Sequence, residues 1–295
     1  MKKFLASILA ATVIAGAVSA QSGTQLQTVS AQKGIQINGL KKIQISLKSE
    51  SITIRQNEDT EDKTLNIEIL SNYTAMYPIL KNDGKAIKIE QKDNTGKLKD
   101  RVCEVTITVP KDLKLQELKI NTDTSDITIT DLHTQKLDVG TKSGEVKLTK
   151  IDSTDFSVST EKGDLTVRNN KVEKTANMKS SSGSMTVTNL VADEIITETQ
   201  KGNIRLSDIT TKKISINADK GVLDLNLNKL FEKDSEIRVS SGNAKIYLPS
   251  NSTFWTSGSV DRGRFRSEFS QDSKGPLLNI KVGGGDMQII KGSGL

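Results

Sequence analysis

Apolar residues recur two apart along most of this chain, in short pairs set between polar residues. Leu118/Ile120, Leu137/Val139, Phe156/Val158, Ala176/Met178, Ile195/Thr197 and Ile214/Ile216 each precede a turn signal. Beyond it stand Ile127/Ile129, Val146/Leu148, Leu165/Val167, Met185/Val187, Ile204/Leu206 and Leu223/Leu225. The first members of the two pairs are nine residues apart in all six units, and Leu278/Ile280 with Met287/Ile289 repeat that spacing near the C-terminus. Alternation with period two puts one face inward and one outward, the pattern of a half-buried strand. A helix does not fit apolar residues two apart in segments dense in Thr, Ser and Asn.

The turn signals have a period of their own. They fall at Ser125, Gly144, Gly163, Gly183, Gly202, Gly221 and Gly242, with spacings of 19, 19, 20, 19, 19 and 21 residues. Self-similarity at such a period marks a solenoid. Each unit predicts strand, tight glycine turn, strand and second turn. A single two-strand coil is too small to bury its inner face, but stacked coils pair each strand with its equivalents above and below, about 4.8 Å apart. Thr122, Thr141, Thr160, Ser180, Thr199 and Ala218 share one inward position beside the turn, where small residues let the wall narrow. The predicted fold is all-β: a β-solenoid of two-strand coils with an irregular, β-rich N-terminal cap.

The cap is read from Ile43–Leu47, Ile52–Ile54, Leu65–Ile69 and Ile87–Ile89, which alternate without the regular spacing. An open solenoid end exposes unpaired backbone donors and acceptors, so a cover is required there. The expected organisation is a signal peptide over 1–20, a flexible leader over 21–34, the β-rich cap over 35–112, regular coils over 113–248, and an aromatic and arginine-rich excursion with a final coil over 249–295. The signal peptide is read from Lys2 and Lys3, the short apolar run Phe4–Val18 and the small residues Val18-Ser19-Ala20. That run is shorter than the roughly 20 residues a membrane-spanning helix needs. The mature chain is therefore expected to be exported to periplasm, outer surface or medium, with no transmembrane segment.

Charge and composition narrow the function classes. The formal net charge of +6 falls to +4 once Lys2 and Lys3 are removed, and acids and bases are interspersed. Nucleic-acid binding, which calls for a concentrated basic face, is not expected. Cys103 is the only thiol and His133 the only imidazole. Cys103 lies in register with Val105, Ile107 and Val109, the pattern of a buried small hydrophobe. A His/Cys metal site is not expected, nor is a cofactor.

Two groups of acidic and polar residues invite a metal reading. Asp126, Glu145, Asp164, Ser184 and Asn203 follow the turn residues, and Glu58, Asp59, Glu61 and Asp62 share a loop. The calcium β-roll nonapeptide and the EF-hand spacing are both absent. Turn chemistry, with side chains bonding nearby amides, is the simpler expectation. Outward acids such as Glu68, Asp138 and Asp224 are scattered and give no paired-carboxylate constellation, so no catalytic residue is assigned.

The segment Pro249 to Pro276 breaks the rhythm and holds Phe254, Trp255, Phe265 and Phe269. Arg262, Arg264 and Arg266 stand two apart in it, with Phe265 on the other face. Trp255 with the three arginines forms the candidate ligand site: an aromatic platform for a sugar ring and guanidinium forks for acidic groups. The alternative is a cap whose aromatics cover the last coil while the arginines stay wet.

The run Val105-Thr106-Ile107-Thr108-Val109-Pro110, the repeated Ser/Lys-Gly-Glu/Asp-hydrophobic-x-hydrophobic units, Ile246-Tyr247-Leu248-Pro249 and the terminal Gly-Gly-Gly-Asp-x-x-Ile segment resemble the bacterial "putative adhesin" family of unknown function. The resemblance covers about residues 35–292 and implies a β-solenoid envelope protein without catalytic residues. The expected function is a non-enzymatic envelope or surface protein binding a macromolecule, glycan or protein, along a repetitive β face. A purely structural envelope component and an enzyme acting on acidic polysaccharide are the alternatives.

Overall fold

A computed structural model describes residues 26–59, 61–72, 78–91, 102–270 and 274–292. The expected signal peptide lies outside the described residues. The described elements are all strands, and they form one sheet wound on itself. In chain order they are β1 (Gln27–Gln36), β2 (Lys42–Leu47), β3 (Ser51–Gln56), β4 (Thr64–Ser71), β5 (Ile79–Asn82), β6 (Ala86–Glu90), β7 (Cys103–Val109), β8 (Lys114–Thr124), β9 (Ile127–Ser143) and β10 (Val146–Lys162). There follow β11 (Leu165–Ser182), β12 (Met185–Lys201), β13 (Ile204–Lys220), β14 (Leu223–Leu227), β15 (Ser235–Ser241), β16 (Ala244–Pro249), β17 (Trp255–Val260), β18 (Phe265–Ser267), β19 (Leu277–Val282) and β20 (Met287–Gly292).

The stacked β-solenoid expected from the repeats is the fold. Val146 pairs with Ile127 in the coil below and Leu165 in the coil above, all parallel. Aliphatic side chains thus stack on their own equivalents in a narrow interior; Ile127, Val146, Leu165, Met185, Ile204 and Leu223 are all buried. Burying each such side chain contributes roughly 1.5–3 kcal/mol.

The structure adds a third inward-facing segment to the two marked by the spacing. Between them lie Leu132/Thr134, Ile151/Ser153, Asn170/Val172, Leu190/Ala192 and Ile209/Thr211, all buried. The second turn is also sharper than a loop. It is one left-handed residue inside a continuous strand: Asp131, Lys150, Asn169, Asn189 and Asp208, with φ between 53° and 57°. Asn and Asp reach this region at low cost, which accounts for four of the five. Asn170, buried just inside the corner, accepts from the Ile151 amide (2.6 Å) and donates to the Leu148 carbonyl (3.3 Å). The extra residue of the 20-residue unit is absorbed in an outward register shift between Lys171 and Thr175.

Both ends depart from chain order. At the N-terminal end, β2 and β3 lie between β6/β7 on one side and β8/β9 on the other. Antiparallel β5 then covers β6, and antiparallel β4 covers β7. Residues 27–36, read from sequence largely as flexible leader, form β1 instead and pair antiparallel with β4. The free edge of β4 supplies the hydrogen-bond partners that a short polar segment lacks alone. At the C-terminal end, β19 and β20 slot between β15/β16 and the outermost coil β17/β18. The excursion is therefore the spatial end of the stack, and the last residues in sequence lie inside it.

Candidate functional site

The polar residues after the turn glycines use their oxygens within the fold. Asp126 Oδ1 accepts from the Glu145 amide, Asp164 Oδ1 from Ser184, Asn203 Oδ1 from Val222, and Asn243 Oδ1 from Asp286, at 2.8–2.9 Å. Each bond joins one coil to the next, the amide-bonding role that turn chemistry predicts. In the acidic loop, Asp62 accepts from the Thr64 hydroxyl and amide and from Asn57. The Thr64 hydrogen bonds hold its carboxyl below the usual range. Among the described residues no group of three or more His, Cys, Asp or Glu is arranged to hold a metal ion. Cys103 is buried at 2% exposure in the position its alternation predicts.

The wall before each glycine carries alternating charge. One outward column runs Lys42, Glu117, Lys136, Asp155, Thr175, Glu194 and Lys213 on successive coils. Lys42 pairs with Glu117 at 3.0 Å and Lys213 with Glu194 at 2.8 Å. Neighbouring columns add Lys119–Asp138, Lys142–Asp123 and Lys179–Glu198. The hydrogen bond from Lys42 holds Glu117 below its ordinary pKa, and the bond to Asp123 holds Lys142 above its own. These exposed pairs add little stability singly, but opposite charges in adjacent coils favour one stacking register.

The wall after each glycine is different. Its outward columns read Thr106, Thr53, Thr128, Lys147, Thr166, Thr186, Arg205 and Thr108, Arg55, Thr130, Thr149, Arg168, Thr188, Ser207. This is a flat hydroxyl-rich surface with scattered cations.

The four sequence-chosen residues all fall on the outermost coil, on different parts of it. Trp255 pairs with Leu277 and faces outward on the wall before the glycine corner, 39% exposed. Gly263 closes that corner directly over Gly285. Arg262 precedes it, its carbonyl accepting from the Gly285 amide. Arg264 takes the position after the glycine, with its amide donating to Asp286 Oδ1 at 2.9 Å. Arg266 pairs with Gln288 on the following wall. The three arginines therefore flank the corner, Arg262 before it and Arg264 and Arg266 after it, exposed and without a carboxylate partner among the described residues, while Trp255 faces outward from the wall before it. Phe265, 42% exposed, lies in the inward column over Met287. Phe254 is buried edge-on between Phe231 (6.4 Å) and Phe269 (5.3 Å), as a cap requires.

One feature escapes the repeat reading. Gly140 lies outside the glycine column, in an outward position of β9 between Val139 and Thr141. A cavity of about 570 Å³ opens over it along the outward column Ser46, Asn121, Gly140, Ser159 and Lys179. The sequence signal was a glycine where neighbouring coils carry side chains.

The architecture defines a class: a repeat-built β-solenoid whose polar groups are largely committed to holding coils together. The chain belongs to the Toastrack DUF4097 family, whose model matches residues 40–275, as the resemblance of its repeats implied. Similar solved structures include a putative adhesin from Parabacteroides distasonis, 12% identical, with TM-score 0.48 over 90% of this chain and 98% of that one. A putative lipid binding protein from the same organism is 15% identical, with TM-score 0.46 over 90% and 98%. A putative adhesin from Bacteroides fragilis is 12% identical, with TM-score 0.42 over 92% and 100%. The comparison with curated proteins gives no match.

Proposed function

We propose that the mature chain is a non-enzymatic, adhesin-like protein of the cell envelope or surface, which binds a macromolecule along its repetitive β face. Export follows from the N-terminal pattern read as a signal peptide over residues 1–20. No described helix is long and apolar enough to cross a membrane, a statement that does not bear on β-barrels. One observation carries the binding reading. Equivalent outward residues on successive coils lie side by side, as in Thr130↔Thr149 and Thr166↔Thr186. Chemistry presented once is thus presented again one strand spacing further on, which suits an extended partner better than a small metabolite. The non-enzymatic part is supported by the acids, many of which bond backbone amides or pair with lysines of adjacent coils.

The test is fractionation of the native cell followed by pull-down from the exported fraction, with the purified protein screened on glycan and matrix-protein arrays. Recovery in an exported fraction with a macromolecular ligand is expected. Cytoplasmic recovery overturns export, and turnover of acidic polysaccharide overturns the non-enzymatic reading. A purely structural envelope role is the second reading, favoured by the internal pairing of charge on the wall before the glycines. An array without hits, together with a regular assembly of the purified chain, would establish it instead.

A further inference from the structure

The stacked glycines at the corners are there because the backbone demands them; Gly140 is not. Its φ lies outside the left-handed region that favours glycine, and a Cβ there would meet only side-chain oxygens at close range, Asn121 Oδ1 at 3.3 Å and Ser159 Oγ at 3.4 Å. Glycine inside a strand weakens it, and commonly marks a place where a ligand or another backbone approaches closely. Among the described residues no other strand backbone approaches from outside: the nearest backbone atom to that Cβ is the Ile120 carbonyl oxygen at 4.0 Å, within the adjacent strand of the same wall.

The missing side chain lies beneath the cavity of about 570 Å³, a volume in the range of ligand-binding clefts. Its floor follows one outward column across five stacked coils, from Ser46 through Asn121, Gly140 and Ser159 to Lys179. The trough therefore runs along the solenoid axis, for roughly 20 Å at one strand spacing per coil. The side chains of Asn121 and Ser159 have no hydrogen-bond partner among the described residues. They stand on either side of the gap as an amide and a hydroxyl, each able to donate and accept. The rim is mixed in charge, with Asp123 paired to Lys142 at 2.6 Å and Glu161 beside them. Among the described residues no aromatic side chain lines the trough.

We propose that this trough is a subsite for a linear oligosaccharide lying along the solenoid axis, with one sugar residue seated over Gly140 between Asn121 and Ser159. Unbonded amide and hydroxyl groups on a mixed-charge floor match the hydroxyl edges of sugars. A polyanion would meet Asp123 and Glu161 and a polycation Lys48, Lys142 and Lys179, so the lining favours a polar ligand without a strong charge of one sign. An elongated trough along a stack of equal coils suits a polymer of equal units. The inference rests on the surface-binding reading above and gives it a place and a ligand class.

Gly140→Val tests it, because filling the gap leaves the fold intact. The substituted strand gains β-propensity, and the two nearest atoms belong to exposed side chains that can move aside. The wild type and Gly140→Val are compared on an array of linear tetra- to hexasaccharides from bacterial and animal polymers, with thermal unfolding measured in parallel. Expected is wild-type binding to at least one linear oligosaccharide, lost about tenfold or more in the variant, with a melting temperature no lower than wild type. Asn121→Ala with Ser159→Ala is expected to lose the same ligand without refilling the gap. Equal binding by wild type and both variants overturns the site while leaving surface binding standing. A wild type that binds a matrix protein and no oligosaccharide overturns the ligand class and again leaves surface binding standing. A wild type that binds neither sugars nor proteins overturns both readings.

Discussion

Gly183 stands so close over Gly163 that a Cβ on it would lie 2.0 Å from the Gly163 carbonyl oxygen. Its φ of 151° places it beyond the range L side chains ordinarily adopt. Gly183→Val therefore meets backbone that cannot yield without shifting two coils, and is expected to destabilise by about 3–5 kcal/mol. Urea unfolding with an unchanged midpoint would remove the close stacking of the corners. Gly140→Val is the internal control, since valine is accommodated there.

Among the described residues Asn170 is the one amide side chain buried inside the stack, at 3% exposure. Replacing it by Leu leaves the Ile151 amide and the Leu148 carbonyl without their side-chain partner, at a cost of about 1–3 kcal/mol. Denaturant titration checks the loss. A variant as stable as wild type would mean that water or a local shift satisfies both groups.

The charged wall makes a pH prediction. Glu117 has its carboxyl pKa lowered by the hydrogen bond from Lys42. A depressed folded-state value contributes stability above the unfolded-state value, near 4.5, and loses it as pH falls through the folded value. Wild type should thus lose stability in acid below about pH 4.5 more steeply than Glu117→Gln does. Lys142 has the opposite sign, since its pKa is raised by Asp123 from 10.5. Its contribution is complete below that value and lost as pH rises through the folded one. Both effects are modest because the pairs are exposed. Identical acid profiles for wild type and Glu117→Gln would remove the first.

Phe254 joins Phe231 and Phe269 under the outermost coil. Phe254→Ala is expected to cost about 3–5 kcal/mol in that cap and to release β17 and β18 before the central coils. Hydrogen exchange should show the faster-exchanging amides confined to the C-terminal end. Protection lost evenly along the solenoid would mean that the cap and the coils unfold as one unit.

The solenoid was legible because its signal repeats: apolar pairs nine residues apart and glycines near every nineteenth position admit one physical solution. The third inward segment was harder to read. Its column mixes Leu132, Ile151, Asn170, Leu190 and Ile209, and the polar Asn170 hides the pattern until its hydrogen bonds are seen. The ends were illegible for a different reason. Nothing local in Ile43–Leu47 says that it stacks between β6 and β8, or in Leu278–Val282 that it lies inside the coil formed by Trp255–Val260. Of the candidate site, sequence spacing set Arg262, Arg264 and Arg266 two apart as on one strand, and joined Trp255 to them by proximity in the chain; in the structure Arg262 precedes the Gly263 corner and Arg264 and Arg266 follow it. The corner at Gly263 turns the two walls apart.

The sequence by itself determined the coil, because alternation and turn chemistry are local properties repeated until they can be read. Only the tertiary structure decided which coil lies beside which at the two ends, and what stands next to Gly140. Those relations join residues tens of positions apart through backbone pairing, and backbone hydrogen bonds carry no side-chain signature from which the partner strand could be inferred.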